Sequence, residues 1–122
     1  MKVNVQYISA ERFLEHGKPG PGQVHISTNV NVIGVEEKGE SLIVPFVVTI
    51  GYTPSVAQIN IKGQAVISGP SDELQKVRDD YRSKRTPPPA LLHAITSTTL
   101  VEATVVSRTL HIPPPIPLPP VP

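Results

Sequence analysis

The sequence contains no cysteine and no tryptophan, and aromatic residues make up only 4% of its 122 residues. Without cysteine the chain forms neither disulfides nor thiolate sites, so cysteine usage says nothing about the redox state of its compartment. Charged residues are also scarce, at 17%. So small a share of charged residues leaves much of a small domain's surface without charged groups, and we expect partner subunits to cover part of that surface.

Neither sign of charge dominates, because the formal net charge is +1. Only residues 82–85 form a short basic cluster, which is too little for binding nucleic acid or anionic lipid. The N-terminus lacks the apolar run of a signal peptide, and we expect no stretch as long as a membrane span. These features predict a soluble, cytoplasmic protein of one domain, with no nucleic-acid partner and no membrane insertion.

Proline, in contrast, is abundant, with 15 residues, most of them after residue 86. The segment 112–122 alternates proline with apolar residues. Proline fixes φ and has no N–H, so we predict a polyproline II tail following a single domain, 1–111. A flexible linker would carry serine or charge where the tail carries Ile112, Ile116, Leu118 and Val121. The tail is therefore expected to pack on a surface.

Alternation of apolar and polar residues predicts a four-stranded antiparallel sheet. The four predicted strands span residues 2–8, 24–35, 42–50 and 57–67. A helical turn over 10–16 and a Gly/Pro-rich crossing loop over 17–22 are expected between the first two strands. The strand over 42–50 is apolar on both faces, so we expect it to be covered on both sides. Pro45 removes one ladder donor and predicts a bulge or an edge.

Two helices are predicted after the sheet. Capping and amphipathic signals indicate a short helix over about 71–84. The segment 90–110 is rich in β-branched residues, which favour a strand and thereby an all-β sandwich. Its length and its lack of turn residues favour a helix with Leu91, Ile95, Thr98 and Val105 on one stripe. The resulting fold class is α+β, with a long helix against one sheet face.

This order of elements resembles that of the SecB family of export chaperones. The resemblance includes the Gly-ended strand over 65–69, the apolar helix start over 89–95 and the helix end with its proline loop over 107–119. It implies a SecB-like fold, a homo-oligomer, a role in protein transport and a client groove between the helix region and the crossover loop. The matching groove positions are Phe13, Leu14, Leu110, Ile112, Ile116 and Leu118. In the family a second, C-terminal helix follows the proline loop, at the point where this chain stops, and the near-neutral charge differs from that of the acidic family, so docking to the Sec motor is not carried over.

No constellation in the sequence indicates an enzyme, a cofactor or a metal. The four histidines, His16, His25, His93 and His111, lie in different elements without ligand spacing. Adjacent Asp79 and Asp80 point about 100° apart on a helix, so they do not form a catalytic dyad. The loop over 17–22 lacks the Lys-Ser/Thr pair of a phosphate loop.

Two functions remain for such a chain. The first is an ATP-independent holdase that binds unfolded or extended polypeptides on an apolar groove and assembles as a dimer or a dimer of dimers. The second is a non-catalytic structural or interaction subunit whose proline-rich tail docks one fixed protein partner. The tail itself is a strap on its own domain or a neighbouring subunit, an edge of a client groove, or a ligand for a proline-binding domain.

Overall fold

The computed structural model describes residues 1–13, 24–54, 56–69, 71–84 and 88–115. It contains one antiparallel sheet followed by two helices, so the predicted α+β class is confirmed. The strands are β1 (Lys2–Arg12), β2 (His25–Val32), β3 (Glu36–Lys38), β4 (Ser41–Thr53) and β5 (Ala57–Ser68). The helices are α1 (Ser71–Lys84) and α2 (Pro89–Leu110). The sheet order is β1-β5-β4-β2, with β3 also pairing with β4.

The sheet has five strands rather than the predicted four, and Pro45 accounts for the difference. Pairing between β2 and β4 ends at Val32 opposite Phe46. The carbonyl of Pro45 still accepts a hydrogen bond from the N–H of Ile33 (2.9 Å), but proline has no N–H to return. Pairing resumes in a new register with Glu36 opposite Ile43. The predicted strand over 24–35 thus ends early, at Val32, and the short strand β3 follows beyond its predicted end.

The β4–β5 ladder forms the centre of the sheet and supplies most of the core. It runs without interruption from Ser41 opposite Ser68 to Tyr52 opposite Ala57. Every second residue points to one face, and on that face the side chains are almost completely buried: Leu42, Val44, Phe46, Val48, Ile50, Tyr52, Ala57, Ile59, Ile61 and Ala65. On the other face of β4, residues such as Ile43 and Val47 are only partly buried. The expectation that this strand is covered on both sides is therefore wrong for a single chain.

Strand β1 is longer than predicted and contains a bulge. It continues through Ala10, opposite Ile59, to Arg12, opposite Ala57, so the helical turn expected from residue 10 is wrong over 10–12. Residue 13 follows the end of β1 and is not helical either. Residues 14–16 of that turn and the crossing loop over 17–22 lie outside the described residues. The register shifts between Val5 and Tyr7, so the buried face holds odd residues before the shift and even residues after it.

Both predicted helices are present. In α2 the buried residues recur every fourth position, at Leu91, Ile95, Thr99, Ala103 and Ser107. The predicted stripe was wrong for Thr98, which is partly buried, and for Val105, which is 58% exposed. The buried hydroxyls bond to the helix itself, because Thr99 donates to the carbonyl of Ile95 (2.8 Å) and Ser107 to that of Thr104 (2.7 Å). Such bonds satisfy these hydroxyls within the core, which a polar residue needs in order to be buried there.

By length and composition alone, α2 is a candidate membrane span, with a mean hydropathy of 1.3. This corrects the expectation that no stretch of the sequence is that long and apolar. A helix in the core of a soluble domain meets the same criteria, and the buried stripe of α2 belongs to the same core as the sheet residues.

Helix α1 has the predicted bounds and lies close to β3. Leu74, Val77 and Tyr81 are partly buried, as its amphipathic pattern indicates. Arg78 forms an ion pair with Glu37 of β3. This pair connects the helix to the extra strand that the sequence did not predict.

Gly63 of β5 lies close to the backbone of β1, so a substitution there tests how tightly these two strands pack. A Cβ at this position would collide with the backbone carbonyl of Asn4 and would lie 2.8 Å from Cζ of Phe46. We expect Gly63→Ala to lower the free energy of unfolding by about 1–3 kcal/mol, the range for overpacked cores. Urea denaturation of both chains measures this difference.

Gly34→Ala is the matched control, because a Cβ there meets nothing within 4 Å. Equal loss of stability in the two variants would show that the close approach of β1 to Gly63 is not what limits this position.

Candidate functional site

Three parts of the chain meet at one end of the sheet: the end of β1, the turn between β4 and β5, and the end of α2. Helix α2 ends where His111 adopts a left-handed conformation (φ 55°), and the N–H of Ile112 donates to the carbonyl of Ser107 (3.1 Å). This helix end turns the chain back toward the sheet. We call the segment 111–115, which follows the turn, the strap.

Two side chains of the sheet hold the strap region by its backbone. Nη1 of Arg12 donates to the carbonyl oxygens of Leu110 (3.0 Å) and His111 (3.1 Å). The hydroxyl of Tyr52 donates to the carbonyl of Pro113 (2.6 Å). The guanidinium also brings positive charge to the C-terminal end of α2, where the helix dipole is negative. These contacts satisfy carbonyls that have no partner inside the helix.

The strap also completes the core. Ile112 is only 7% exposed and belongs to the same core cluster as Tyr52, Val56 and Leu91. Pro115 is also buried, whereas Pro113 is exposed. The strap therefore closes one end of the core with an aliphatic side chain and is fixed there by hydrogen bonds to its carbonyls.

Tyr52 lies in the core with its hydroxyl directed at the strap. Burial raises the pKa of Tyr52 to about 12 from an ordinary value of 10.0. The phenol is thus protonated over the whole neutral range and remains a donor. A phenolate would have no proton to donate to the carbonyl of Pro113.

The structure separates the predicted groove residues into three groups. Phe13 is 47% exposed, and its N–H donates to the carbonyl of Val56 (2.8 Å). Leu110 is partly buried against the core, whereas Ile112 lies inside it. Ile112 was predicted as an accessible wall of a groove, but its side chain instead fills the end of the core. Leu14, Ile116 and Leu118 lie outside the described residues.

A shallow groove of about 290 Å³ lies beside Phe13 and is lined by Ser9, Ala10, Glu11, Phe13, Gln58 and Asn60. Two amides, a hydroxyl and a carboxylate form most of its lining, and the phenyl ring forms its apolar border. An extended chain presents both backbone polar groups and side chains, so it matches this mixture. The polar lining residues alternate with the buried residues of β5, so the groove lies on the outer face of the sheet, whereas Tyr52 and Ile112 lie on the core face. We call the groove, together with Arg12, Tyr52 and the strap at the same end of the sheet, the Phe13 end.

Arg12 and Tyr52 were missed by the sequence analysis. Arg12 fell within the predicted helical turn, and Tyr52 fell in the predicted turn after the third strand. Alternation carried to the true end of β4 would have placed Tyr52 on the buried face, opposite Ala57. Alternation alone would have missed Arg12, because the register shift between Val5 and Tyr7 is what brings residue 12 to that face. A buried arginine or tyrosine needs a hydrogen-bond partner, which is the signal that could have found them.

A second surface of interest lies along β1 and the adjacent side of α2. It is lined by Val3–Ile8 of β1 and by Thr98 and Glu102 of α2, around an open groove of about 570 Å³. Val101 and Val105 are 56% and 58% exposed and lie on the same side of the helix as Thr98, at spacings of three and seven residues. We call this surface the β1–α2 face. Within the described residues, β1 pairs only with β5.

The part of the chain that the structure describes contains no group of three or more His, Cys, Asp or Glu residues that could hold a metal ion.

Tyr52→Phe removes the hydroxyl that bonds to Pro113 and leaves the ring in place. We expect a loss of about 1–2 kcal/mol in the free energy of unfolding, since a buried acceptor loses its partner. Chemical denaturation at neutral pH measures this loss.

The same variant predicts a pH effect. The pKa of Tyr52 is higher in the folded chain than in the unfolded one, so its stabilising contribution is complete below pH 10 and is lost as the pH rises toward 12. Wild type should therefore lose more stability than Tyr52→Phe between these two pH values. Parallel curves for the two chains would contradict this assignment.

No protein-family model matches this sequence, and no curated protein matches it. The structure does match a solved structure of a SecB-like chaperone from Mycobacterium tuberculosis in complex with a ChAD peptide from an antitoxin. The TM-score is 0.63 at 12% sequence identity, over 99% of this chain and 88% of that chain. At this identity the likeness is evidence of a shared fold. The chain therefore has a SecB-like fold.

Proposed function

We propose that this protein is a non-catalytic, chaperone-like module that binds extended polypeptide at the Phe13 end. The observation that carries the proposal is the exposed ring of Phe13, attached through its backbone to the end of the sheet beside a polar groove. An aromatic ring held at a fixed position loses little entropy on binding and buries a large apolar area.

The donors at this end support the proposal. Arg12 and Tyr52 direct their hydrogen bonds at main-chain carbonyls, which every polypeptide carries. A site that reads the backbone and offers one or two apolar contacts selects for extended chains of apolar character, not for one sequence. The solved structure with the same fold also holds a peptide, which supports binding of this class of ligand.

We extend the proposal to an ATP-independent holdase acting in the cytoplasm, where unfolded chains are made. Many clients would bind with similar affinity, because the contacts are with backbone and generic apolar side chains. A fixed protein partner is the alternative outcome. Suppression of aggregation of several unrelated denatured proteins at stoichiometric ratios supports the holdase, and protection of only one of them supports the fixed partner.

Phe13→Ser tests the site. We expect the Kd for a fluorescent, unstructured 20-residue polypeptide of alternating aliphatic and polar residues to rise about tenfold, the effect of losing an aromatic anchor. Fluorescence anisotropy measures this change. Ile33→Ser is the matched control, because Ile33 is 63% exposed and follows β2 beside Pro45. An equal effect of both substitutions, or of neither, would rule out Phe13 as the anchor.

Self-association is the second part of the proposal, and the β1–α2 face is the surface we assign to it. Exposed valines on a helix with so little charge favour contact with a second copy. The bulge in β1 also allows two copies of this strand to pair with their apolar residues opposite one another. Two antiparallel copies of β1 with Lys2 opposite Glu11 place Val3 opposite Ala10 and Val5 opposite Ile8. Val3, Val5 and Ala10 pack against the core on the helix side of the sheet. Ile8, opposite Ile61, faces the same side and is 37% exposed. This register therefore pairs apolar residues on one face and brings Lys2 opposite Glu11.

Val105→Glu should therefore convert a dimer into a monomer, because a symmetric contact would place two buried carboxylates close together. Light scattering at micromolar concentration measures the mass. Ile33→Glu, which adds the same charge to an exposed isoleucine outside this face, should keep the wild-type mass. A monomeric wild type would rule out the assembly. If the Val105→Glu variant remains a dimer, the dimer interface lies on another surface.

A further inference from the structure

The strap is bound in the way that a separate peptide would be bound. Its side-chain hydrogen bonds from Arg12 and Tyr52 are accepted by the carbonyls of Leu110, His111 and Pro113. None of these bonds depends on which side chain the acceptor residue carries. The buried side chains of the strap are those of Ile112 and Pro115, and Ile112 is the one that belongs to the core cluster.

The strap also needs few hydrogen-bond partners and loses little entropy when it docks at this end of the core. Prolines at 113–115 have no N–H, so the segment needs no acceptor for those residues. Its fixed φ angles lower the entropy lost on docking. An ordinary extended chain has the same carbonyls, so Arg12 and Tyr52 can donate to it in the same way.

Leaving this place empty would be costly. Ile112 closes a core cluster that includes Tyr52 and Val56, and removing it would expose these residues to water. Something aliphatic must therefore fill the position whenever no other chain does. The strap meets this need with the side chain of Ile112.

We propose that the strap is a resident competitor, and that an extended polypeptide displaces it by placing an aliphatic side chain in the Ile112 position and its carbonyls on Arg12 and Tyr52. This inference rests on the proposed function and adds to it the ligand class and the regulation of the same site. The ligand is an extended segment with an isoleucine, leucine or valine beside accessible carbonyls. Affinity is set by the difference between client and strap, because both use the same donors.

The competition predicts that a change that weakens the strap tightens client binding, whereas a change in a donor that holds the strap does not. Ile112→Ala weakens the strap and leaves the position and both donors intact. The apparent Kd for the fluorescent polypeptide should fall about tenfold, since a larger fraction of molecules has an open site. Tyr52→Phe removes a donor from the site that strap and client share, so it should not lower the apparent Kd as Ile112→Ala does, although it also lowers the Tm. Ile33→Ala is the matched control and should leave the apparent Kd unchanged.

Pro113→Gly provides a second strap variant that removes no buried atom, because Pro113 is exposed. It increases the entropy of the released strap, so the apparent Kd should again fall, by a few-fold. This variant keeps the test valid if Ile112→Ala fails to fold, as judged by circular dichroism.

A synthetic peptide with the sequence of residues 110–115 completes the experiment. It should displace the fluorescent polypeptide from the Ile112→Ala chain, and the same peptide with alanine at the position of Ile112 should displace it much less. This result requires that strap and client share one place.

The outcomes separate this inference from the proposed function. If wild type binds the polypeptide and the strap variants bind it no more tightly, the competition is refuted and the proposed function stands. Weaker binding by the strap variants also refutes it, because Ile112 would then support the client site. If neither wild type nor any folded variant binds the polypeptide, both proposals fail.

Discussion

The β4–β5 ladder is the constraint on which the rest of the structure depends. Its unbroken antiparallel register places its buried apolar residues on one face, and that face must be covered. Helix α2 packs against it, and the strap covers the end beside Tyr52. Because neither element pairs with the sheet through backbone ladders, both are held by packing and by a few hydrogen bonds.

The Phe13 end joins stability and binding in one set of groups. Arg12 and Tyr52 satisfy the carbonyls at the end of α2 and on the strap, so they are needed for folding. The same groups can donate hydrogen bonds to the main chain of another polypeptide, because a main-chain carbonyl is an acceptor whichever side chain its residue carries. The proposed site would bind extended chains broadly, and in the proposed competition the strap would set how readily that site is available.

The sequence predicted much of the fold, and its errors have physical causes. Period-2 alternation located β5, and caps and prolines located α1 and α2, because these signals act within a few residues of each other. The extra strand β3 was missed because a proline on β4 ends a pairing with a distant segment. The buried stripe of α2 was placed incorrectly because its position depends on which side faces the sheet, and on that side Thr99 and Ser107 replace the larger residues that a hydropathy pattern favours.

For the candidate site too, some features could be predicted from the sequence and others could not. By itself, the sequence determined that the tail is stiff and apolar and that an aromatic residue follows the first strand, since composition and proline geometry are local properties. Only the tertiary structure decided that Ile112 is buried while Phe13 is exposed, and that Arg12 and Tyr52 meet the strap. Residues 12 and 52 come together because both end strands that flank β5, and such proximity is fixed by strand register and packing between segments far apart in the chain.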